Sequence, residues 1–243
     1  MQYFKSKYFI PVSQAERKLM FISAFLPILF VIALGLILLV ENVFQINLNS
    51  LGVEPRSLHG LSGILFMPLL HSGLNHWAGN AIPLILLGYG MIYFYRDVAY
   101  KMFFSIWLFD GIGVWLLGRP EIHIGASGLV YGLVAFLLFS GLLRKNKQLL
   151  AITFTVVVLY GSILYNMFPF EEAISWEGHL FGFITGLAGA VYFRKHGPKD
   201  DPLPDWMNDD NDEVNNQVEA STDKEEAKVI QINYHLKESD KQN

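Results

Sequence analysis

Apolar residues run along this chain in long blocks, and the polar positions between them gather in short clusters. Six apolar segments can be read, at about 19–40, 76–95, 102–117, 127–143, 149–165 and 179–193. They predict an all-α polytopic membrane protein, a bundle of six transmembrane helices. Several are shorter than the ~20 residues of a typical span. Helices that begin below the membrane surface, beside a water-filled cavity, have that length.

Lys and Arg orient the bundle. Lys5, Lys7, Arg17 and Lys18 precede the first segment, and Arg96 and Lys101 separate the second from the third. Arg144, Lys145 and Lys147 follow the fourth, Arg194 and Lys195 the sixth. The alternate loops hold only Arg56 and Arg119 as cations, against Glu41, Glu54, Glu121, Glu171, Glu172 and Glu177. Both termini are therefore expected in the cytoplasm, with loops 41–75, 118–126 and 166–178 facing outward. The first of these mixes turn residues (Gly52, Pro55, Gly60, Gly63) with apolar ones (Leu58, Leu61, Ile64, Leu65, Phe66), as an interfacial, partly embedded segment would.

Composition agrees: 52% of the 243 residues are hydrophobic and the mean hydropathy is +0.34, too apolar for an ordinary soluble domain. Residues 1–18 lack the apolar core of a signal peptide, so the first apolar run is expected to stay as a helix. The net charge of −4 conceals a division between a net basic membrane body and an acidic stretch that starts near Asp200, and it carries no nucleic-acid footprint. The expected organisation is a cytoplasmic segment at 1–18, a membrane domain at 19–195 and an acidic, largely disordered cytoplasmic tail at 196–243. Cysteine is absent, which removes disulfides and thiolate metal sites.

Candidate chemistry concentrates near the outer face. Ser127, between Gly125 and Gly128, opens the fourth segment; seventeen residues at ~1.5 Å each place it roughly 25 Å above the Arg144 anchor. His179 stands ~22 Å above Arg194 and shares a helix face with Gly182 and Gly186. Gly128 and Gly132 offer a matching small surface, as close helix approach in a membrane requires. A serine beside a histidine is the minimum for an activated hydroxyl nucleophile. Tyr131, one turn below Ser127, is placed to pack on the imidazole. Asp110 counts too near the middle of its span to orient the histidine, so the reading is a dyad. Asn80 lies ~24 Å above Arg96, level with Ser127, with His76 one turn above it on the same face; such donors suit a developing oxyanion. Each residue also has a structural reading: helix cap for Ser127, interhelical clasp for His179 and Asn80. His71, His76, His123 and His179 share the outer side, yet no carboxylate stands at ligand spacing with a histidine, and neither metal nor cofactor is expected. His59 and His196 read as interfacial or solvated.

Together these residues resemble the rhomboid intramembrane serine proteases, bacterial six-helix type, over about 55–193. The resemblance rests on His-x-x-x-Asn (His76, Asn80), Gly-x-Ser-Gly (Gly125, Ser127, Gly128) and Gly-His-x-x-Gly-x-x-x-Gly (Gly178, His179, Gly182, Gly186). It implies Ser127 as nucleophile and His179 as general base. His76, Asn80 and the Ser127 backbone N–H would form an oxyanion hole, Tyr131 would support the histidine, and His71 would structure the approach. It further implies that the substrates are membrane helices of other proteins, cut near the outer face of the bacterial inner membrane and admitted past the fifth segment under a lid at 167–170. Two features depart from the family pattern: the usual Trp-Arg of the first loop is Pro55-Arg56, and the acidic tail has no counterpart. Two other classes compete: a catalytically silent protein of this fold that binds and retains or delivers membrane helices, and a transporter relaying protons through His179 and Asp110. The second lacks the internal repeat many transporters show. Oligomeric state is not encoded in any of these patterns.

Overall fold

The computed structural model describes residues 13–159, 165–170 and 174–198. The tail expected beyond residue 198, residues 1–12 and the far end of the fifth predicted segment lie outside them. Within the described residues are seven α-helices: α1 (Gln14–Phe44), α2 (Gly63–Phe66), α3 (Leu74–Phe94), α4 (Ala99–Leu117), α5 (Ser127–Arg144), α6 (Lys147–Leu159) and α7 (Trp176–Tyr192). Four of them, α1, α3, α4 and α5, are long and apolar enough to cross a membrane. This is the all-helical membrane bundle the hydropathy pattern predicts.

Helix α1 extends past the apolar run at 19–40 on both sides, taking in residues 14–18 and 41–44. Caps, not hydropathy, end a helix. The Ser13 side chain accepts the Glu16 backbone N–H at 3.1 Å, and Gln45 closes the far end in the left-handed conformation (φ 53°).

Helix α5 is the core of the bundle. Leu129, Val130, Leu133, Val134, Phe136 and Leu137 are all buried, so it meets neighbours on every side. Its closest neighbour is α7, and glycine makes that closeness possible. A Cβ on Gly182 would overlap the backbone oxygen of Gly128, and one on Gly186 that of Gly132. The two backbones therefore touch directly. On the other faces Gly132 accommodates Ile106 of α4, and Gly189 accommodates Met102. Helices α1 and α3 approach where Gly88 faces Pro27, and the Trp77 indole donates to the Val31 carbonyl at 3.1 Å. Pro27 has removed one backbone donor from α1.

The first loop is ordered by hydrogen bonds to α4. Arg56, in the left-handed region (φ 60°), donates its backbone N–H to Trp115 at 2.9 Å and its guanidinium to the Gly118 carbonyl at 2.9 Å. The indoles of Trp115 and Trp107 donate back to Ser57 at 2.9 Å and Leu65 at 3.2 Å. An isolated antiparallel bridge, Val53 with His123, ties this loop to the one that delivers α5, and Gly125 N–H donates to Met67 at 2.8 Å.

The glycine contacts make opposite predictions for one substitution. Gly182→Ala forces a methyl into the Gly128 backbone and should destabilise the fold by about 1–3 kcal/mol. Gly79→Ala, on α3 with no atom within 4 Å of the added methyl, should leave stability unchanged or raise it by up to about 1 kcal/mol. Unfolding of the purified variants in mixed micelles measures both.

Candidate functional site

Ser127 is the first residue of α5, and the chain reaches it through a bend that only glycine adopts easily: Gly125 has φ +114°. His179 lies in the first turn of α7, and the glycine-paired backbones of α5 and α7 bring the two side chains together. Ser127 Oγ and His179 Nε2 are 2.8 Å apart. His179 Nδ1 is 2.7 Å from the backbone carbonyl of Asn166. A carbonyl can only accept, so Nδ1 carries the proton and Nε2 presents its lone pair to the serine hydroxyl. The Tyr131 ring stacks on the imidazole, centroids 4.1 Å apart and planes 8° from parallel. Tautomer, position and tilt of the base are thereby all constrained.

A cavity of about 570 Å³ opens beside this pair, and His76 and Asn80 of α3 line it with Ser127 and His179. The Asn80 amide nitrogen is 3.2 Å from His71 Nε2, which uses one amide hydrogen and leaves the other for the cavity. Ser72 donates its backbone N–H toward His76 Nδ1 at 3.5 Å, with its hydroxyl 3.2 Å from the same nitrogen. The other ring nitrogen, Nε2, then bears the proton, and it lies over Gly125, where a Cβ would stand 2.6 Å from it. Two neutral donors thus border the space above the serine. His71, edge-on to His76 at 5.0 Å, is buried behind them.

The structure therefore gathers Ser127, His179, His76, Asn80 and Tyr131 around one cavity, with Gly125 against the His76 ring and His71, Gly128, Gly182 and Gly186 packed behind. No group of three or more metal-ligating residues occurs among the described residues. His59 and His196 are exposed.

Three features escape the sequence. The Asn166 carbonyl occupies the orienting place that no acid fills; a backbone group has no residue-type signature. Asp110, which counting along its span places too low, is buried behind the pair. A Cβ on Gly128 would overlap its carboxylate, and one on Gly178 would stand 3.4 Å from it. The carboxyl makes no hydrogen bond among the described residues, so it orients neither ring. Finally, a clasp holds the start of α7. Arg119 pairs with Glu177 at 2.7 Å and donates to the Ile174 carbonyl at 2.7 Å, while His123 Nδ1 is 2.6 Å from the Ser175 hydroxyl. Residue type gives no warning that Arg119 and Glu177 pair across 58 positions.

Comparison with known proteins identifies the family. The Rhomboid domain family matches residues 58–196. An uncharacterized protein of Mycobacterium tuberculosis (strain H37Rv) is 36% identical over 175 residues, 66% of this chain and 71% of its own. An uncharacterized protein of Mycobacterium leprae is 32% identical over 196 residues, 74% and 75% of the two chains. A protein of Acanthamoeba polyphaga mimivirus, named for the rhomboids, is 28% identical over 142 residues, 53% of this chain and 73% of its own.

Burial of His71, ahead of α3, has a measurable consequence. Burial first and the neighbouring His76 second push its pKa from 6.5 down to about 4, against a hydrogen bond with the Leu69 backbone that raises it. Between those values the unfolded chain binds a proton that the folded chain refuses. The stability that the neutral ring supports is complete above about pH 6.5 and is lost as pH falls toward 4. The unfolding midpoint in micelles should drop across that window, and less steeply in His71→Gln.

Proposed function

The chain belongs to the rhomboid family, and from that premise we propose that it is an intramembrane serine endopeptidase that uses Ser127 and His179 to cleave membrane helices of other proteins. The observation that carries the reading is the 2.8 Å contact between Ser127 Oγ and a His179 Nε2 whose other nitrogen is engaged by a backbone carbonyl. A serine hydroxyl in water is a weak nucleophile; one donating to a fixed neutral imidazole can lose its proton as it attacks.

In the reaction, Ser127 Oγ attacks the scissile carbonyl while His179 Nε2 takes the hydroxyl proton. The oxyanion that forms accepts from the free Asn80 amide hydrogen, from His76 Nε2–H and from the Ser127 backbone N–H. His179 then returns the proton to the leaving amine, and water hydrolyses the acyl-enzyme by the same route reversed. Tyr131 keeps the imidazolium in plane through this cycle. Substrate helices must expose a carbonyl already paired within their own backbone, so segments with helix-weakening residues and a small residue before the cut are the expected class. Six spans, cytoplasmic termini, an inner-membrane location and a site opening outward complete the reading, on the distribution of Lys and Arg. Entry past α6, under residues 167–170, is supported by the exposed rings of Phe168 and Phe170.

Reconstituted enzyme should cut a single-span substrate and label with a fluorophosphonate. Both signals should vanish in Ser127→Ala, and cleavage in His179→Ala. Asn80→Ala should lower kcat by about 10²–10³ with a small change in KM. Folded wild type that neither cuts nor labels would transfer the site to the alternative role, a silent protein that binds and retains or delivers membrane helices. Lid action by residues 167–170 would be refuted by unchanged cleavage in Phe168→Ala and Phe170→Ala.

A further inference from the structure

A second cavity, about 700 Å³, lies between α1, α3 and α4 at the end of the bundle away from Ser127. Its size falls within the range of ligand sites. Leu26, Pro27 and Phe30 of α1, Gly88 of α3 and Phe103 of α4 wall it, and Leu133 of α5 reaches it from the core. Along its wall Gly88 of α3 faces Pro27 of α1. At one end stand two cations, Lys18 from the first turns of α1 and Arg96 just past α3. Both are exposed, and neither has an ion-pair partner among the described residues. Of the acids nearby, Glu16 receives the Tyr93 hydroxyl at 3.3 Å and forms no ion pair with either cation, and Asp97 is exposed and does not line the cavity. Lys101, over the Tyr100 ring at 5.8 Å, adds a third positive charge at this level.

An apolar slot parallel to the helices, with a pair of unneutralised cations at its mouth, matches one kind of molecule. We propose that this groove binds an anionic phospholipid, its phosphate between Lys18 and Arg96 and one acyl chain running past Phe103 and Pro27 toward Phe30. A soluble anion would use only the cations, and a neutral lipid only the slot. Guanidinium and ammonium attract the anionic headgroup at the surface, and each buried methylene adds to the hold. The site is separate from the catalytic cavity, and none of its lining residues takes part in the chemistry above.

The test is native mass spectrometry of the full chain after exchange with equimolar phosphatidylglycerol and phosphatidylcholine of matched acyl chains. Wild type should retain phosphatidylglycerol in excess by roughly thirtyfold, the scale set by two cations at a membrane surface. K18Q/R96Q should lose that excess, whereas K145Q/K195Q, with the same charge removed from the same boundary, should keep it. Leu26→Trp, at a half-exposed position on the groove wall, should weaken retention with both cations intact. Millimolar glycerol phosphate should not displace the lipid. Equal retention of the two lipids, an unaffected K18Q/R96Q, an equal loss in K145Q/K195Q, or displacement by glycerol phosphate would each overturn the assignment. Because the readout is lipid retention, its failure leaves the protease reading untouched, and an inactive protein leaves this one untouched.

Discussion

Direct contact between the backbones of α5 and α7 is the constraint on which the site depends. In a membrane, apolar side chains gain little by leaving lipid for protein, so helices associate through close packing. Gly182 against Gly128 and Gly186 against Gly132 remove the side chains that would hold the helices apart. A hydrogen bond of 2.8 Å between residues 52 positions apart requires helix axes placed to within a fraction of an ångström. Larger residues at those four positions would separate Ser127 from His179 before altering either.

The remaining architecture protects this placement from the outer side. The first loop bridges to His123 through Val53 and receives the Gly125 N–H through Met67, fixing the bend that introduces Ser127. His123, Arg119 and Glu177 then secure the start of α7. Glu177 is nearly buried, and the pairing with Arg119, itself partly exposed, matters as register more than as stability, since removing one partner would strand the other charge. Two cavities lie in the bundle: one at the starts of α5 and α7, lined by Ser127 and His179, and an apolar one between α1, α3 and α4.

Much of this was legible from residue order alone. Apolar blocks identified the helices of the bundle because a membrane admits no other way to satisfy backbone groups in a mainly apolar run. The small residues around Ser127 and below His179 announced a close helix pair, and counting rises along each helix brought Ser127, His179 and Asn80 to one level. Those inferences succeed because they depend on residue type and helical period, both local properties. Helix α1 runs past its apolar block at both ends, because hydropathy is blind to the Ser13 cap and to the left-handed Gln45.

What only the tertiary structure decided are the partners that come from elsewhere in the chain. The tautomer of His179 follows from the Asn166 carbonyl, that of His76 from Ser72, and the orientation of the Asn80 amide from His71. Every residue offers a backbone carbonyl, so no sequence pattern marks the one that faces an imidazole. Asp110 shows the same limit in depth: a residue count gives height along one helix, but the neighbours at that height depend on where the other helices begin. The sequence by itself marked, through residue type and helical period, the serine, histidines and amide that meet at one cavity. The fold decided which proton each group holds, because that depends on distances of a few tenths of an ångström between segments far apart in the chain.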